Sequence, residues 1–175
     1  MTVPLVSIAI PAYRHAKYIE TCLASVCAQT YPELELVLID DGSPDDTFEI
    51  AQRFLANHAE RFRRVVLERR ENRGVSANSN ACIEACQGEW VHLLGSDDRR
   101  YPEKVAKIQA AIGGWNCPEL ALVHTDTDTI DADGVIRPVR RPGLHADAGV
   151  DRAAYRWPFH RNLISNPSIA LRRDA

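Results

Sequence analysis

The feature that most limits what this chain can fold into is a set of short apolar runs, each closed abruptly by turn residues. Residues 5–10 (LVSIAI) stop at Pro11, residues 34–39 (LELVLI) run into Asp40-Asp41-Gly42-Ser43, and residues 90–94 (WVHLL) end at Gly95-Ser96-Asp97-Asp98. Nearly continuous apolar runs of roughly four to eight residues are the pattern of strands buried on both faces, as in a parallel sheet. Between them lie stretches of helical length. Ile19, Cys22, Leu23 and Val26 recur at helical spacing, and Tyr31-Pro32 ends that stripe. Ser43 reads as an N-cap, Pro44 as the first helical position, and Asp45 and Asp46 as an acidic first turn of a second helix, reaching residue 57.

Further along, residues 65–67 read as a short third strand, 74–86 as a helix, 102–112 as another helix, and 120–125 as a fifth strand. Asp131-Ala132-Asp133-Gly134 reads as a turn that returns through Val135-Ile136 in a hairpin. Residues 138–167 hold four prolines and read as a linker or lid, and residues 168–171 as one more strand. Strand and helix alternate four times, which predicts an α/β fold: a mostly parallel sheet with helices on both faces.

Composition narrows the function. The chain has 175 residues, 45% hydrophobic and 26% charged, which is the mixture of one folded domain with little to spare. A net charge of −3 argues against a general nucleic-acid binder. The charge is blocked, however: residues 1–60 and 76–136 each carry −6, residues 61–75 carry +4 and residues 137–175 carry +5. Acidic segments with paired aspartates can gather a divalent cation, and basic ones can face a phosphate or an anionic membrane surface. Five cysteines without a CxxC predict neither a disulfide framework nor a zinc site, and Cys82 and Cys86, at i,i+4 spacing, read as packing residues. The amino-terminal residues lack a signal-peptide pattern, and no apolar run approaches the ~20 residues of a membrane span. A cytoplasmic protein is expected, with any membrane contact peripheral, at the inner face.

In an open parallel sheet, ligands bind beyond the carboxyl ends of the strands, where strand order reverses. Those ends carry the candidate residues. The first strand delivers Pro11, Ala12 and Tyr13, and the second Asp41, favoured over Asp40 because Asp40 finishes the strand. The third leads to Asn72 and Gly74, ahead of a helix whose amino end can face phosphate. The fourth delivers Asp97 and Asp98, a like-charged pair that needs a cation or donors beside it. The six histidines show no metal spacing and read as packing or surface groups; the acidic run from Asp126 to Asp133 reads as hairpin and turn.

Three segments together resemble the family 2 glycosyltransferases of GT-A fold: VSIAIPAY (6–13), SVCAQTYPELELVLIDDGSPDDT (25–47) and ENRGVSANSNACIEACQGEWVHLLGSDD (71–98). The resemblance implies a Rossmann-like GT-A sheet and transfer of a sugar, with inversion, from a nucleotide-diphosphate donor to a glycan or lipid-linked acceptor in surface polysaccharide or lipopolysaccharide synthesis. It implies that Pro11, Ala12 and Tyr13 line the base pocket, with Asn72 and Gly74 near the donor, and that Asp41 contacts the base. It further implies that Asp97 approaches the ribose or sugar, and that Asp98 holds Mn²⁺ or Mg²⁺ on the diphosphate. Two positions depart from the family pattern: Gly95 stands where many members have Asp, and Ser79-Asn80 where many have Arg-Asn. By the family's layout, residues 1–137 are a donor-binding domain, and 138–175 are a linker and the start of an acceptor half that is cut short. No residue here is identified as the catalytic base. The alternative expectation is therefore a non-catalytic module that binds the nucleotide sugar or serves as a scaffold.

Overall fold

The computed structural model describes residues 3–115, 117–131, 133–139 and 166–174. The elements run β1 (Val6–Ala12), α1 (Ile19–Cys27), β2 (Leu34–Asp40), α2 (Thr47–Ala56), β3 (Arg64–Arg69), α3 (Val75–Ala85), β4 (Trp90–Leu93), α4 (Lys104–Trp115), β5 (Leu122–Val123), β6 (Thr129–Ile130), β7 (Ile136–Arg137) and β8 (Ala170–Arg172). Six strands form one sheet in the order β3-β2-β1-β4-β8-β5. β1, β2, β3 and β4 are parallel, and β8 lies antiparallel between β4 and β5. The expected α/β layout is therefore present, with one antiparallel strand inside it. Most of the linker expected over 138–167 lies outside the described residues.

Both faces of the sheet are covered. Val6, Ile8 and Ile10 of β1 and Leu34, Leu36 and Leu38 of β2 pack with α1, α2 and α4 through Leu23, Val26, Leu55, Val105 and Ile108. Ala9, Val37, Ile39 and Val91 face the other way, onto Cys82 and Cys86 of α3. The two cysteines are thus core residues, and burial pushes both thiols up to about 12. β3 is the open edge, and its polar Arg64, Glu68 and Arg69 explain why only its three apolar residues looked like strand.

The chain enters β4 through Gly88. A Cβ there would stand 2.6 Å from both the backbone nitrogen and the Oγ of Ser7, and 2.9 Å from the Leu5 carbonyl oxygen. Two of those neighbours are backbone atoms, Ser7 in β1 and Leu5 just before it, and cannot turn aside. Gly88→Ala is expected to cost about 1–3 kcal/mol as an overpacked contact. Its thermal midpoint should fall by several degrees, and a melt equal to wild type would show that β1 and β4 can separate there.

Strand order reverses beside β1: the chain moves outward through β2 and β3, then returns to β4 on the other side. The β1–β4 ladder stops at Ala9 and Leu93, whereas β1–β2 pairing continues to Ala12 and Asp40. Pro11, which has no N–H to donate, sits where β4 has already left the ladder. A crevice at a switch point of this kind is where open α/β sheets bind ligands.

Candidate active site

Four loops meet at the carboxyl ends of β1 to β4. The β2 loop is held tightly. Asp40 is fully buried, and its Oδ1 accepts from the Ser43 N–H (2.9 Å) and from Arg69 Nε (3.2 Å). Asp41 is also buried. Its N–H donates to the Ala12 carbonyl at 2.8 Å, and its two carboxylate oxygens each accept a backbone N–H at 2.9 Å, one from Arg73 and one from Gly74. Asn72 Nδ2 donates to the Asp41 carbonyl at 2.8 Å. Gly42, at φ +70°, brings this loop so close that a Cβ would stand 3.0 Å from the Arg70 carbonyl oxygen. Asp41 therefore clamps the turn that opens α3, with Gly74 at φ +87° as its cap residue.

The capping of α2 differs from expectation. The helix begins at Thr47, and Ser43 does not cap it. Ser43 Oγ instead accepts the Arg14 N–H at 2.9 Å, tying the β2 loop to the β1 loop. The cap residue is Asp46, whose side chain makes no capping bond; Asp45 before it accepts instead, its Oδ1 from the Thr47 N–H at 3.3 Å and from the Thr47 hydroxyl, and its Oδ2 from the Ala16 N–H at 3.2 Å. Burial pushes the Asp45 carboxyl up, and these donors outweigh it and hold the group below the usual range.

Asp97 and Asp98 follow β4. The Asp98 N–H donates to the Gly95 carbonyl at 3.0 Å, curling the loop back on itself. A Cβ at Gly95 would stand 2.6 Å from Asp98 Oδ2 and 2.9 Å from Asp97 Oδ1, so one oxygen of each carboxylate faces the same side of Gly95. Burial raises the Asp98 carboxyl above its usual range, and the neighbouring Asp97 charge raises it further. Beneath the loop lies Arg100, 5% exposed, whose guanidinium contacts His92 Nδ1 at 3.2 Å and the Leu93 carbonyl. Burial lowers Arg100 to about 10 and Lys104 to about 8, while burial with Arg100 and Lys104 nearby keeps His92 neutral.

The remaining expected residues fall around this centre. Pro11 and Ala12 line the end of β1, and Tyr13 projects at 42% exposure from the loop beyond. Two participants were not singled out from sequence. His15 reaches across to Ser96 and Asp97, and Arg100 supports the Asp97-Asp98 loop from below. Of the acidic run, Asp131 and Asp133 lie in the expected hairpin turn, where Asp131 accepts from the N–H groups of Asp133 and Val135 and closes the β6–β7 turn, whereas Asp126 and Asp128 precede β6 and Asp128 accepts from the Tyr101 hydroxyl. The basic block is mostly internal as well. Arg63 pairs with Glu33, Arg64 with Glu35, Arg69 with Asp40 and Glu49, and Arg70 with Glu68. Arg61 donates to the carbonyls of Cys27, Gln29, Tyr31 and Pro32. Among the described residues, Arg73 alone of the six makes no ion pair or side-chain hydrogen bond. No described helix is long and apolar enough to cross a membrane.

Comparison with known proteins places this geometry in context. The chain is 39% identical over 133 residues to the chondroitin synthase of Escherichia coli, an alignment that covers 75% of this chain and 18% of that protein. The mannosyltransferase PcManGT of Pyrobaculum calidifontis, solved with GDP-Man and Mn²⁺, superposes with a TM-score of 0.60 at 26% identity, covering 70% of this chain and 35% of that one. Residues 1–349 of S. aureus TarS, solved with UDP, give a TM-score of 0.73 at 21% identity over 97% of this chain and 47% of that one, a likeness of fold. The family model described as glycosyl transferase family 2 matches residues 7–117, the span that runs from β1 through the four loops to the end of α4. A family model that matches well over half of the sequence, with a relative of 39% identity, shows that this chain belongs to glycosyl transferase family 2.

Proposed function

We propose that residues 1–137 form the donor-binding part of a metal-dependent, inverting glycosyltransferase. The donor is a nucleoside-diphosphate sugar, and the acceptor is a glycan or a lipid-linked glycan of a surface polysaccharide. Residues 138–175 begin the acceptor half. One observation carries the reading: Asp97 Oδ1 and Asp98 Oδ2 converge on the space above Gly95, at the switch point of the sheet. Two carboxylate oxygens brought to one side of the loop could serve a hard divalent ion, which would take them at roughly 2.0–2.6 Å and complete its shell with phosphate and water. Among the described residues no three His, Cys, Asp or Glu side chains group as ligands, so phosphate oxygens are needed to fill the shell. The solved relative with GDP-Man and Mn²⁺ supports the same pairing of donor and ion.

Asp98 would hold Mn²⁺ or Mg²⁺, and Asp97, expected from the sequence to approach the ribose or sugar, would instead turn its Oδ1 toward the same ion. Such an ion neutralises the diphosphate as it departs, an electrostatic stabilisation of developing charge. The protein's own residues bind and orient. Pro11, Ala12 and Tyr13 border the base, Asp41 keeps the α3 amino end facing the pocket and contacts the base at its rim, and Asn72 and Gly74 line the donor. Arg73, unpaired beside Gly74, offers a cation to the phosphates.

Isothermal titration against UDP-GlcNAc, UDP-glucuronate and GDP-mannose, with and without Mn²⁺, tests the reading. Metal-dependent heat with at least one donor is expected. Silence with all three, in the presence of either ion, would overturn it.

A further inference from the structure

The β1–α1 loop contributes one side chain that no expectation for the site included. Arg14, at φ 57°, is the single described non-glycine residue in the left-handed region, a conformation that is held only when its surroundings over-determine it. The kink is pinned by the Arg14 N–H to Ser43 Oγ, and the next N–H, that of His15, donates to Thr47 Oγ1 at 2.8 Å. The His15 carbonyl then accepts the N–H groups of Tyr18 and Ile19 at 2.9 Å each, starting α1. Backbone on both sides of His15 is thus fixed, and the Tyr18 ring stands edge-on to the imidazole at 6.1 Å.

The ring held in this way spans two loops. Nδ1 lies 2.7 Å from the Oγ of Ser96, itself 1% exposed, and Nε2 lies 3.8 Å from Asp97 Oδ2. The other oxygen of that carboxylate, Oδ1, is the one that faces the space above Gly95. One oxygen of this carboxylate thus stands on the histidine side and the other on the side of the ion site.

We propose that His15 is a positioning residue that sets the rotation of the Asp97 carboxylate, so that Asp97 and Asp98 present oxygens to a divalent cation together. With the Ser96 hydroxyl donating to Nδ1, the ring proton sits on Nε2, on the side of Asp97. At 3.8 Å that proton reaches Asp97 through a water or a small closure of the loop. Outer partners of this kind orient metal-binding carboxylates, and their loss typically weakens metal binding about 10–100-fold. The inference rests on the donor-and-cation reading given above.

The imidazole's two nitrogens can be replaced separately. In His15→Asn the amide takes the place of Nδ1, keeping the Ser96 contact without reach to Asp97. In His15→Gln it takes the place of Nε2, keeping the reach toward Asp97. Free Mn²⁺, counted by electron paramagnetic resonance in the presence of UDP and separately of GDP, is the readout, with thermal melts as the check on folding. His15→Gln should hold Mn²⁺ within about threefold of wild type, and His15→Asn should weaken it about tenfold or more. In an Asp97→Ala background the His15→Ala change should have no further effect on Mn²⁺, since the route through Asp97 is gone. This cycle decides the matter if His15→Asn fails to fold. An Asn variant that binds like wild type, a Gln variant as weak as Asn, or additive effects in the cycle would overturn the assignment of His15 alone. Wild-type protein that binds no Mn²⁺ with either nucleotide would overturn the cation reading, and this inference with it.

Discussion

Asp98→Ala is expected to abolish Mn²⁺-dependent nucleotide-sugar binding, by a hundredfold or more, while leaving the thermal midpoint at or above that of wild type. The two halves of this result have one cause. Burial and the Asp97 charge both raise the Asp98 carboxyl in the folded chain. A carboxyl whose folded pKa lies above its unfolded value favours the folded state only when protonated; its stabilising effect is present below the unfolded value and is lost as pH rises through the folded one. At neutral pH the ionised Asp98 therefore strains the fold, and deleting it relieves that strain. A bound cation reverses the local balance by compensating both carboxylates at once. The variant should thus melt no lower than wild type without metal, yet show none of the stabilisation that wild type gains from Mn²⁺ plus nucleotide. Thermal melts across pH, with and without Mn²⁺, read both effects. Unchanged Mn²⁺ affinity in the variant would remove Asp98 from the ion site.

The second large effect lies at the opposite end of the sheet. Glu35, the second residue of β2, has no exposed surface. Its carboxylate accepts from the Ser7 hydroxyl, from Arg64 Nη1 and from the Gln87 N–H at 2.7 Å. The Ser7 hydroxyl oxygen in turn accepts the Gly88 N–H at 2.8 Å, and Arg64 also donates to the Ala85 carbonyl at 2.9 Å. β1, β2, β3 and the chain between α3 and β4 all converge on this one group. Glu35→Ala removes the acceptor of the Ser7 hydroxyl and the Gln87 N–H and one of Arg64's two acceptors; removing one partner of a buried pair costs about 3–5 kcal/mol, and Arg64, a third exposed and still bonded to Ala85, places this pair at the low end, about 3 kcal/mol. For a chain of this size that is a fall of roughly 6–12 °C in midpoint. Burial pushes Glu35 up, but the Gln87, Ser7 and Arg64 donors outweigh it and hold the carboxyl below its usual range. Its contribution is then present above the unfolded value near 4.5 and is lost as pH falls through the lower folded value. Wild type should lose stability over that acid range, and Glu35→Ala, already weakened, should lose less. Equal acid slopes in the two proteins would show that Glu35 is not the group titrating.

The legible parts of this protein are those whose signal is local. LVSIAI, LELVLI and WVHLL announce buried strands because their burial on both faces permits no polar alternation. β3 showed only in part, because an edge strand tolerates Arg64, Glu68 and Arg69 in its ladder. The antiparallel placement of β8 left no local trace: a three-residue strand is placed by distant partners, Leu122 and Val123 on one side and Trp90, Val91 and His92 on the other. The cap of α2 misled because Ser43 suits the position by type, but its hydroxyl accepts from Arg14 across the site and the cap falls on Asp46. Asp97 and Asp98 were legible from their position after a buried strand. His15 was not, since a single histidine in a loop carries no spacing signal until Ser96 and Asp97 are folded beside it.

The position of β8 also orders the events of synthesis. A ribosome releases β1 to β4 early, and their parallel pairings need only the chain between them. β4, however, bears Asp97 and Asp98 at its end and keeps one side unpaired until residues 170–172 emerge. During that interval the nascent chain presents an exposed strand edge, the surface on which neighbouring chains pair and aggregate. Closing it joins residues about eighty positions apart, a long-range contact of the slow-forming kind. The strand that leads into the two aspartates is therefore paired on its outer side only after residues 170–172 have been made.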